Sequence, residues 1–256
     1  MLGAMIGDIV GSVYEWDNIK TTNFTFLKDK CFFTDDTVLT AATAQALMTD
    51  GDYTRAYQDF ARRYPGRGYG GNFHVWIYAD DPQPYNSWGN GSAMRVSPVG
   101  FAFDTIEEVL AEAERSAAVT HNHPEGIKGA QSTALAILMS RQGAERSEIR
   151  KEIKDRFGYD LDRTLDKIRP DYTFDVSCQG SVPEAIIAFL ESEAYEDAVR
   201  KAISLGGDSD TIACISGGIA QAFYGGVPED IAERGKTFLP DEFLQILQDF
   251  EAWRNK

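Results

Sequence analysis

The chain contains 256 residues, of which 40 are Asp or Glu and 25 are Lys or Arg, so its formal net charge is −15. Hydrophobic residues make up 43% of the sequence, which supports a packed core and excludes an intrinsically disordered chain. A surface this acidic repels both a nucleic-acid backbone and an anionic membrane, so we expect neither a stable nucleic-acid partner nor a membrane partner.

The cysteines and the N-terminal segment indicate a cellular setting. Cys31, Cys178 and Cys214 are odd in number and widely spaced, which favours neither a disulfide framework nor a thiolate metal site. The N-terminal segment is apolar, but it lacks a basic region and Asp8 interrupts it, which argues against a signal peptide. No run of about 18 apolar residues is present, as a transmembrane helix would require. These features predict a protein of the reducing cytoplasm.

Apolar residues at helical spacing predict a mostly helical chain, and small residues at intervals of three or four predict close helix packing. Strand-like patterns are few and short, for example at residues 24–26 and 73–78. Residues 145–171 interleave eight acids with eight bases, which is typical of a solvated surface helix. Ser181-Val-Pro-Glu184 has the form of a capping box with proline in the first turn. We expect one all-α domain over residues 1–256. The predicted helices are 36–49, 105–117, 127–141, 181–191, 194–205, 209–224 and 241–253.

Two acidic clusters, Thr34-Asp35-Asp36-Thr37 and Asp208-Ser209-Asp210-Thr211, each precede a predicted helix and have apolar neighbours. Helix capping is one explanation, but a cap needs only one such residue. If the four aspartates converge, each pair at about 4 Å costs roughly 4 kcal/mol at an effective dielectric constant near 20. One or two divalent ions would remove that repulsion. Oxygen ligands without His or Cys favour Mg²⁺, Mn²⁺ or Ca²⁺ over Zn²⁺.

Two glycine-rich segments and one glutamate are further candidates for a site. Around Asn90-Gly91-Ser92, glycines can expose backbone N–H groups to a diphosphate, and Arg95 could neutralise its charge; a plain turn is the alternative. The stretch Arg67–Asn72 follows no clear strand, which disfavours a dinucleotide-binding fingerprint. Glu15 stands between two aromatic residues, which could raise its pKa and suit it to acid or base chemistry, unless it is an exposed loop residue.

The histidines and the missing motifs narrow the enzyme class. His121 and His123 are two residues apart, a spacing more typical of structural hydrogen bonding than of metal binding. The sequence contains neither HExxH nor GxSxG, so it lacks the signatures of a zincin protease and an α/β-hydrolase.

Five segments together resemble the ADP-ribosylglycohydrolase family, which includes the dinitrogenase reductase-activating glycohydrolase. They follow the order of the family and span nearly the whole chain, and their combination is specific although no single segment is. The segments are Gly7-Asp8…Gly11-Ser-Val-Tyr-Glu15, Phe33-Thr-Asp-Asp-Thr37, Gly89-Asn-Gly-Ser-Ala-Met-Arg95, Thr120-His-Asn-His-Pro124 and Gly206-Gly-Asp-Ser-Asp-Thr211.

The resemblance implies a single all-α domain with a cleft that holds two Mg²⁺ or Mn²⁺ ions. It implies hydrolysis of the N- or O-glycosidic bond at C1″ of an ADP-ribosylated protein or small molecule, with ADP-ribose as product. Water, deprotonated by Glu15 or by an aspartate, would attack C1″. The implied metal ligands are Thr34, Asp35, Asp36, Asp208, Asp210 and Thr211, and the implied catalytic residues are Glu15, Asp35, Asp36 and Asp210.

The resemblance also implies which residues contact the substrate. Ser87, Gly89, Asn90 and Gly91 match the loop that holds the diphosphate. His121 matches a histidine on the ribose side of the site. Gly70 and Gly71 match another loop that faces the ligand.

One position departs from the family pattern. Members that act on ADP-ribosyl-arginine can carry an acidic residue just before the Gly-Asn of the upstream loop. Tyr69-Gly-Gly-Asn72 has none, which disfavours arginine as the acceptor unless Asp80 or Asp81 takes that role.

Two other functions compete with this interpretation. Asp208-Ser-Asp-Thr211 is close to the DxDxT motif of Mg²⁺-dependent phosphatases, although its threonine comes one position early and it follows Leu205-Gly-Gly near the C-terminus rather than an N-terminal strand. A structural role like that of lens J1-crystallins, or ADP-ribose binding without catalysis, is the non-enzymatic alternative. The presence of all six implied ligands and Glu15 favours an active enzyme.

Overall fold

The computed structural model describes residues 1–255. Over that range the chain forms fifteen helices and no strand, and one isolated antiparallel bridge joins Gly89 to Ser177. The all-α prediction is therefore confirmed. None of these helices is both long enough and apolar enough to cross a membrane. The helices are α1 (Leu2–Gly11), α2 (Asp35–Met48), α3 (Tyr53–Arg63), α4 (Gly71–Ile77), α5 (Gly91–Met94), α6 (Ser97–Ala102), α7 (Ile106–Ala118), α8 (Pro124–Arg141), α9 (Arg146–Phe157), α10 (Leu165–Ile168), α11 (Cys178–Leu190), α12 (Tyr195–Ile203), α13 (Ser209–Phe223), α14 (Glu229–Lys236) and α15 (Asp241–Arg254).

Neither of the two segments with strand-like patterns is a strand. Residues 24–26 are irregular. Residues 73–78 lie mostly in α4, where Phe73 and Trp76 are buried, stack at 5.4 Å between ring centroids and are three residues apart. Inward-facing residues at that spacing belong to a helix, because a strand would bury every second residue.

Several predicted helix bounds also differ from the structure, and α8 begins at Pro124 rather than at residue 127. Helix α11 begins at Cys178 because the Ser177 hydroxyl accepts a hydrogen bond from the Gly180 N–H at 2.9 Å, so no capping box forms at Ser181. Pro183 consequently lies inside the helix. The predicted surface helix 145–171 is divided into α9 and α10, because Gly158 ends α9 with a φ of 70°.

Helix α13 lies at the centre of the fold, and its residues from Ser209 to Ala220 are all buried. Helix α1 packs against it so closely that a Cβ atom on Gly7 would lie 2.1 Å from the carbonyl oxygen of Ala213. A Cβ atom on Gly11 would lie 2.4 Å from the Cα atom of Asp210. Glycine is therefore required where these helices meet, as the spacing of small residues predicted. The contact fixes the end of α1 beside the start of α13.

Candidate active site

A cleft of about 590 Å³ opens where α2 and α13 begin. Its volume lies in the range of small-molecule binding sites. It is lined by every site residue predicted from the sequence except Thr34. Those lining residues are Glu15, Asp35, Asp36, Gly70, Gly71, Ser87, Gly89, Asn90, Gly91, His121, Asp208, Asp210 and Thr211.

Asp8 holds the first acidic cluster in place, a role that the sequence analysis missed. Its Oδ1 accepts a hydrogen bond from the Thr34 hydroxyl at 2.7 Å. Its Oδ2 accepts from the N–H groups of Thr34 and Thr37, at 3.0 and 3.1 Å, and from the Thr37 hydroxyl. Four accepted bonds occupy most of the capacity of one carboxylate, so Asp8 orients the start of α2. The sequence feature that could have revealed this role is a single Asp inside an otherwise apolar helix.

The two acidic clusters meet in the cleft. One oxygen each from Asp8, Asp36 and Asp210 lie within 4.8 Å of one another. The same holds for one oxygen each from Glu15, Asp208 and Asp210. Asp210 alone belongs to both groups, so it lies between them.

The remaining predicted ligands surround these two groups. The hydroxyls of Thr211 and Thr34 lie 3.3 and 3.4 Å from Oδ2 of Asp36. Asp35 belongs to neither group, although it lines the cleft. Its Oδ1 lies on the side of Gly68, where a Cβ atom would be 3.1 Å away. The structure thus brings three of the four predicted aspartates together and leaves Asp35 at the edge.

Asp36, Asp208 and Asp210 are buried and Asp35 is half-buried, and no cationic side chain in the part of the chain that the structure describes compensates their charges. The pKa values of Asp35, Asp36 and Asp210 are raised well above their usual range, chiefly by burial and then by neighbouring carboxylates. Burial also raises the pKa of Asp208. Within residues 1–255, none of these acids forms an ion pair with Lys or Arg. Oδ1 of Asp36 is buried without a hydrogen-bond partner. Unpaired, mutually repelling oxygens of this kind fit hard divalent cations.

Glu15 lies half-buried at the edge of the acidic groups. Burial raises the pKa of its carboxyl to about 7, with smaller contributions from the charges of Asp208 and Asp8. A pKa near 7 suits an acid or a base at neutral pH, so Glu15 differs from an ordinary loop glutamate. Trp16 follows it, is 81% exposed and stacks on Phe174 with 5.2 Å between ring centroids. Both aromatic rings also line the cleft.

The glycine-rich loop around Asn90 is fixed by internal hydrogen bonds. The Asn90 N–H donates to the carbonyl oxygen of Val176 at 2.7 Å, and the Gly89 N–H donates to the Ser87 hydroxyl at 3.1 Å. The Asn90 side chain donates to Oδ2 of Asp208 at 2.7 Å, which connects the loop to the acidic groups. Two of the backbone N–H groups expected to receive a diphosphate are therefore already engaged.

His121 and Arg95 form the wall beside this loop. His121 is 5% exposed, and burial together with the nearby charge of Arg95 holds its pKa well below the usual value. Arg95 is fully buried, and its guanidinium lies 4.1 Å from the ring centroid of Tyr57. Its Nη2 donates to the Ser116 carbonyl oxygen at 3.0 Å and to the Thr120 hydroxyl at 2.8 Å. Arg95 thus extends into the core and makes its hydrogen bonds there.

The second glycine-rich loop leaves space for a ligand at the cleft. A Cβ atom on Gly70 or Gly71 would meet no atom within 4 Å. Asp80 and Asp81, the suggested replacements for the missing acidic residue, are exposed and do not line the cleft.

Comparison with known proteins identifies the family of the chain. The family model "ADP-ribosylglycohydrolase" matches residues 1–254, so the chain belongs to the ADP-ribosylglycohydrolase family and is a glycohydrolase. ADP-ribosylhydrolase ARH3 from Mus musculus is 28% identical over 98% of this chain and 87% of its own length. ADP-ribosylarginine hydrolase Tri1 from Pseudomonas putida is 24% identical over 91% of this chain and 72% of its own length.

A solved structure shares the fold. It is described as an ADP-ribosylglycohydrolase-related protein complex, and it matches with a TM-score of 0.70 and 23% sequence identity. The match covers 99% of this chain and 94% of the other chain. The likeness therefore extends over the whole all-α architecture.

Proposed function

We propose that this protein is a metal-dependent hydrolase that cleaves the N- or O-glycosidic bond between C1″ of ADP-ribose and an acceptor, and so reverses ADP-ribosylation. Membership of the family supports the reaction class. The observation that carries the proposal is the pair of carboxylate groups that share Asp210 in one cleft. The same cleft is lined by the glycine-rich loops, which leave room for a ligand.

The unpaired acids of the cleft supply the donor set that the metal ions need. When bound, two Mg²⁺ or Mn²⁺ ions supply positive charge that polarises the ribose hydroxyls and lowers the pKa of water. Asp8 keeps Thr34 and the start of α2 in position for such ions. The residues proposed to hold the ions are Thr34, Asp35, Asp36, Asp208, Asp210 and Thr211.

Glu15 is the proposed proton acceptor. Its carboxyl, with a pKa near 7, stands beside Asp208 and Asp210, close to where the ribose would bind. Water adds its oxygen to C1″ while the bond from C1″ to the acceptor breaks with its electron pair. Glu15 takes a proton from that water, and transfer of this proton to the departing acceptor atom completes the balance. The aspartates stabilise the positive charge that develops on the sugar.

The rest of the cleft holds the ADP-ribosyl group. A sugar held in one orientation beside Glu15 reacts faster than one that tumbles freely. The proposed substrate contacts are Gly70, Gly71, Ser87, Gly89, Asn90, Gly91 and His121, and the expected product is free ADP-ribose.

One assay separates this function from its competitors. The purified protein is treated with a chelator, and then incubated with ADP-ribose linked to arginine, to serine or to nucleic acid, with and without Mg²⁺ or Mn²⁺. We expect release of free ADP-ribose from at least one conjugate, and only with a divalent ion. Binding of ADP-ribose without turnover would identify a binding protein instead. Hydrolysis of para-nitrophenyl phosphate without ADP-ribose release would identify a phosphatase.

A further inference from the structure

Three buried polar residues form a continuous chain of hydrogen bonds from the core to the cleft. Arg95 and Thr120 are fully buried, and His121 is 5% exposed. Nη2 of Arg95 lies 2.8 Å from Oγ1 of Thr120. The same Oγ1 lies 2.7 Å from Nδ1 of His121. Nε and Nη1 of Arg95 are buried without a partner among the described residues, so Nη2 alone connects the guanidinium to this chain of hydrogen bonds.

The direction of each hydrogen bond follows from the groups involved. A guanidinium only donates, so the Thr120 hydroxyl accepts from Arg95. The hydroxyl has one proton to donate, and its two acceptors are Nδ1 of His121 at 2.7 Å and the Ala117 carbonyl oxygen at 3.5 Å. The Ala117 carbonyl oxygen already accepts from the N–H groups of Thr120 at 3.1 Å and of His121 at 2.7 Å, so both of its lone pairs are occupied and Nδ1 is the acceptor left for the hydroxyl proton. The hydroxyl therefore donates to Nδ1, and Nδ1 acts as an acceptor.

We propose that Arg95 and Thr120 are positioning residues that fix His121 as the Nε2–H tautomer and direct this N–H into the cleft, where it donates to an oxygen of the ADP-ribosyl substrate. The identity of that ligand rests on the proposed function, whereas the tautomer does not. Burial, and then the positive charge of Arg95, lower the pKa of the His121 ring and disfavour a second proton, so His121 donates as a neutral imidazole.

The surroundings of Nε2 support this direction. A Cβ atom on Gly91 would lie 3.2 Å from Nε2, so this edge of the ring faces the glycine-rich loop. Nδ1 accounts for the hydrogen bonds of His121 within residues 1–255, which leaves Nε2 available to a ligand. The N–H groups of Gly89 and Asn90 are engaged internally, so Nε2–H adds a donor that a ligand oxygen beside this loop can use.

The tautomer is directly measurable. The sequence contains three histidines, so the ¹⁵N signals of a selectively labelled sample can be assigned. In His123, Nδ1 accepts from the Glu125 N–H at 3.1 Å, which provides an internal reference for the Nε2–H form. We expect His121 to match this reference in the wild type, to become a mixture of tautomers in Thr120→Val and to return to the Nε2–H form in Thr120→Ser.

ADP-ribose affinity, measured by calorimetry with Mg²⁺ present, gives the second readout. We expect about tenfold weaker binding in Thr120→Val and recovery in Thr120→Ser. Thr133→Val is the matched control, because the Thr133 hydroxyl is buried without a partner in α8, outside the cleft. It should change neither readout.

Several outcomes would overturn the proposal. They are an Nδ1–H tautomer in the wild type, an unchanged tautomer in Thr120→Val, or equal losses of affinity in Thr120→Val and Thr120→Ser. A wild type that has the Nε2–H tautomer but does not bind ADP-ribose would contradict the proposed function and the ligand contact, and would leave the positioning of His121 by Thr120 intact.

Discussion

Helix α9 and the cleft are both rich in acidic residues, but the environments of those residues are opposite. On α9, Glu152 pairs with Arg156 and Asp155 pairs with Lys151, each one helical turn away and partly exposed. In the cleft, Asp36 and Asp210 are buried with other carboxylates as neighbours. The net charge counts both sets alike. What distinguishes a solvated surface from a candidate metal site is whether each carboxylate has a cation beside it.

The largest expected effect comes from removing one carboxylate of the cleft. Asp210→Asn keeps the size of the side chain but removes a charge that both acidic groups share. We expect turnover of ADP-ribosyl conjugates to fall by at least about a hundredfold, with weaker binding of Mg²⁺ or Mn²⁺. Asp35→Ala and Asp36→Ala should also lose nearly all turnover. Full activity in all three variants would mean that the acids of the cleft, like those of α9, are not needed for catalysis.

Glu15→Gln tests the proposed base without disturbing the aspartates. We expect turnover to fall by roughly 10²–10⁴-fold while ADP-ribose affinity changes little, because the loss lies in proton transfer. Since Glu15 accepts a proton only when ionised, wild-type kcat should rise with pH through about 7, and this rise should be absent in the variant. The same pH profile in both proteins would exclude Glu15 as the base.

Metal removal should make stability depend on pH in an unusual direction. Burial raises the pKa of Asp8 to about 6 and raises the pKa values of the other cleft aspartates. The folded, chelated protein then binds more protons than the unfolded chain above about pH 4, so its free energy of unfolding decreases as the pH rises. Denaturant unfolding from pH 5 to pH 8 measures this slope. Mg²⁺ should stabilise the protein most at the upper end, and no added stability at pH 8 would contradict a metal site.

The smallest effect is expected on α9. Glu152→Gln removes one exposed ion pair and should change the free energy of unfolding by less than about 0.5 kcal/mol, with unchanged turnover. Urea unfolding and the ADP-ribose release assay measure both quantities. A loss of activity here comparable to that of Asp210→Asn would indicate a general effect of charge rather than a local site.

The sequence predicted the two acidic clusters because aspartates in excess of a helix cap are visible as a local pattern. Asp8 was missed because its four hydrogen-bond donors lie on Thr34 and Thr37, which are far away along the chain. The local pattern also gave a wrong prediction for residues 73–78. Their aromatic residues are typical of a strand, but tertiary packing stabilises a short helix there. The predicted start of α11 was also wrong, because the segment contains several possible capping residues and the structure uses the hydroxyl of Ser177.

The contact between Gly11 and Asp210 also bears on the order of events during folding. These residues lie about 200 positions apart, and their main chains meet directly. We expect this contact to form late in folding, because a long loop must first close. The ligand groups of α2 and α13 are incomplete in any partly folded state in which this contact is absent. High-affinity metal binding should accordingly appear only after α1 has packed against α13.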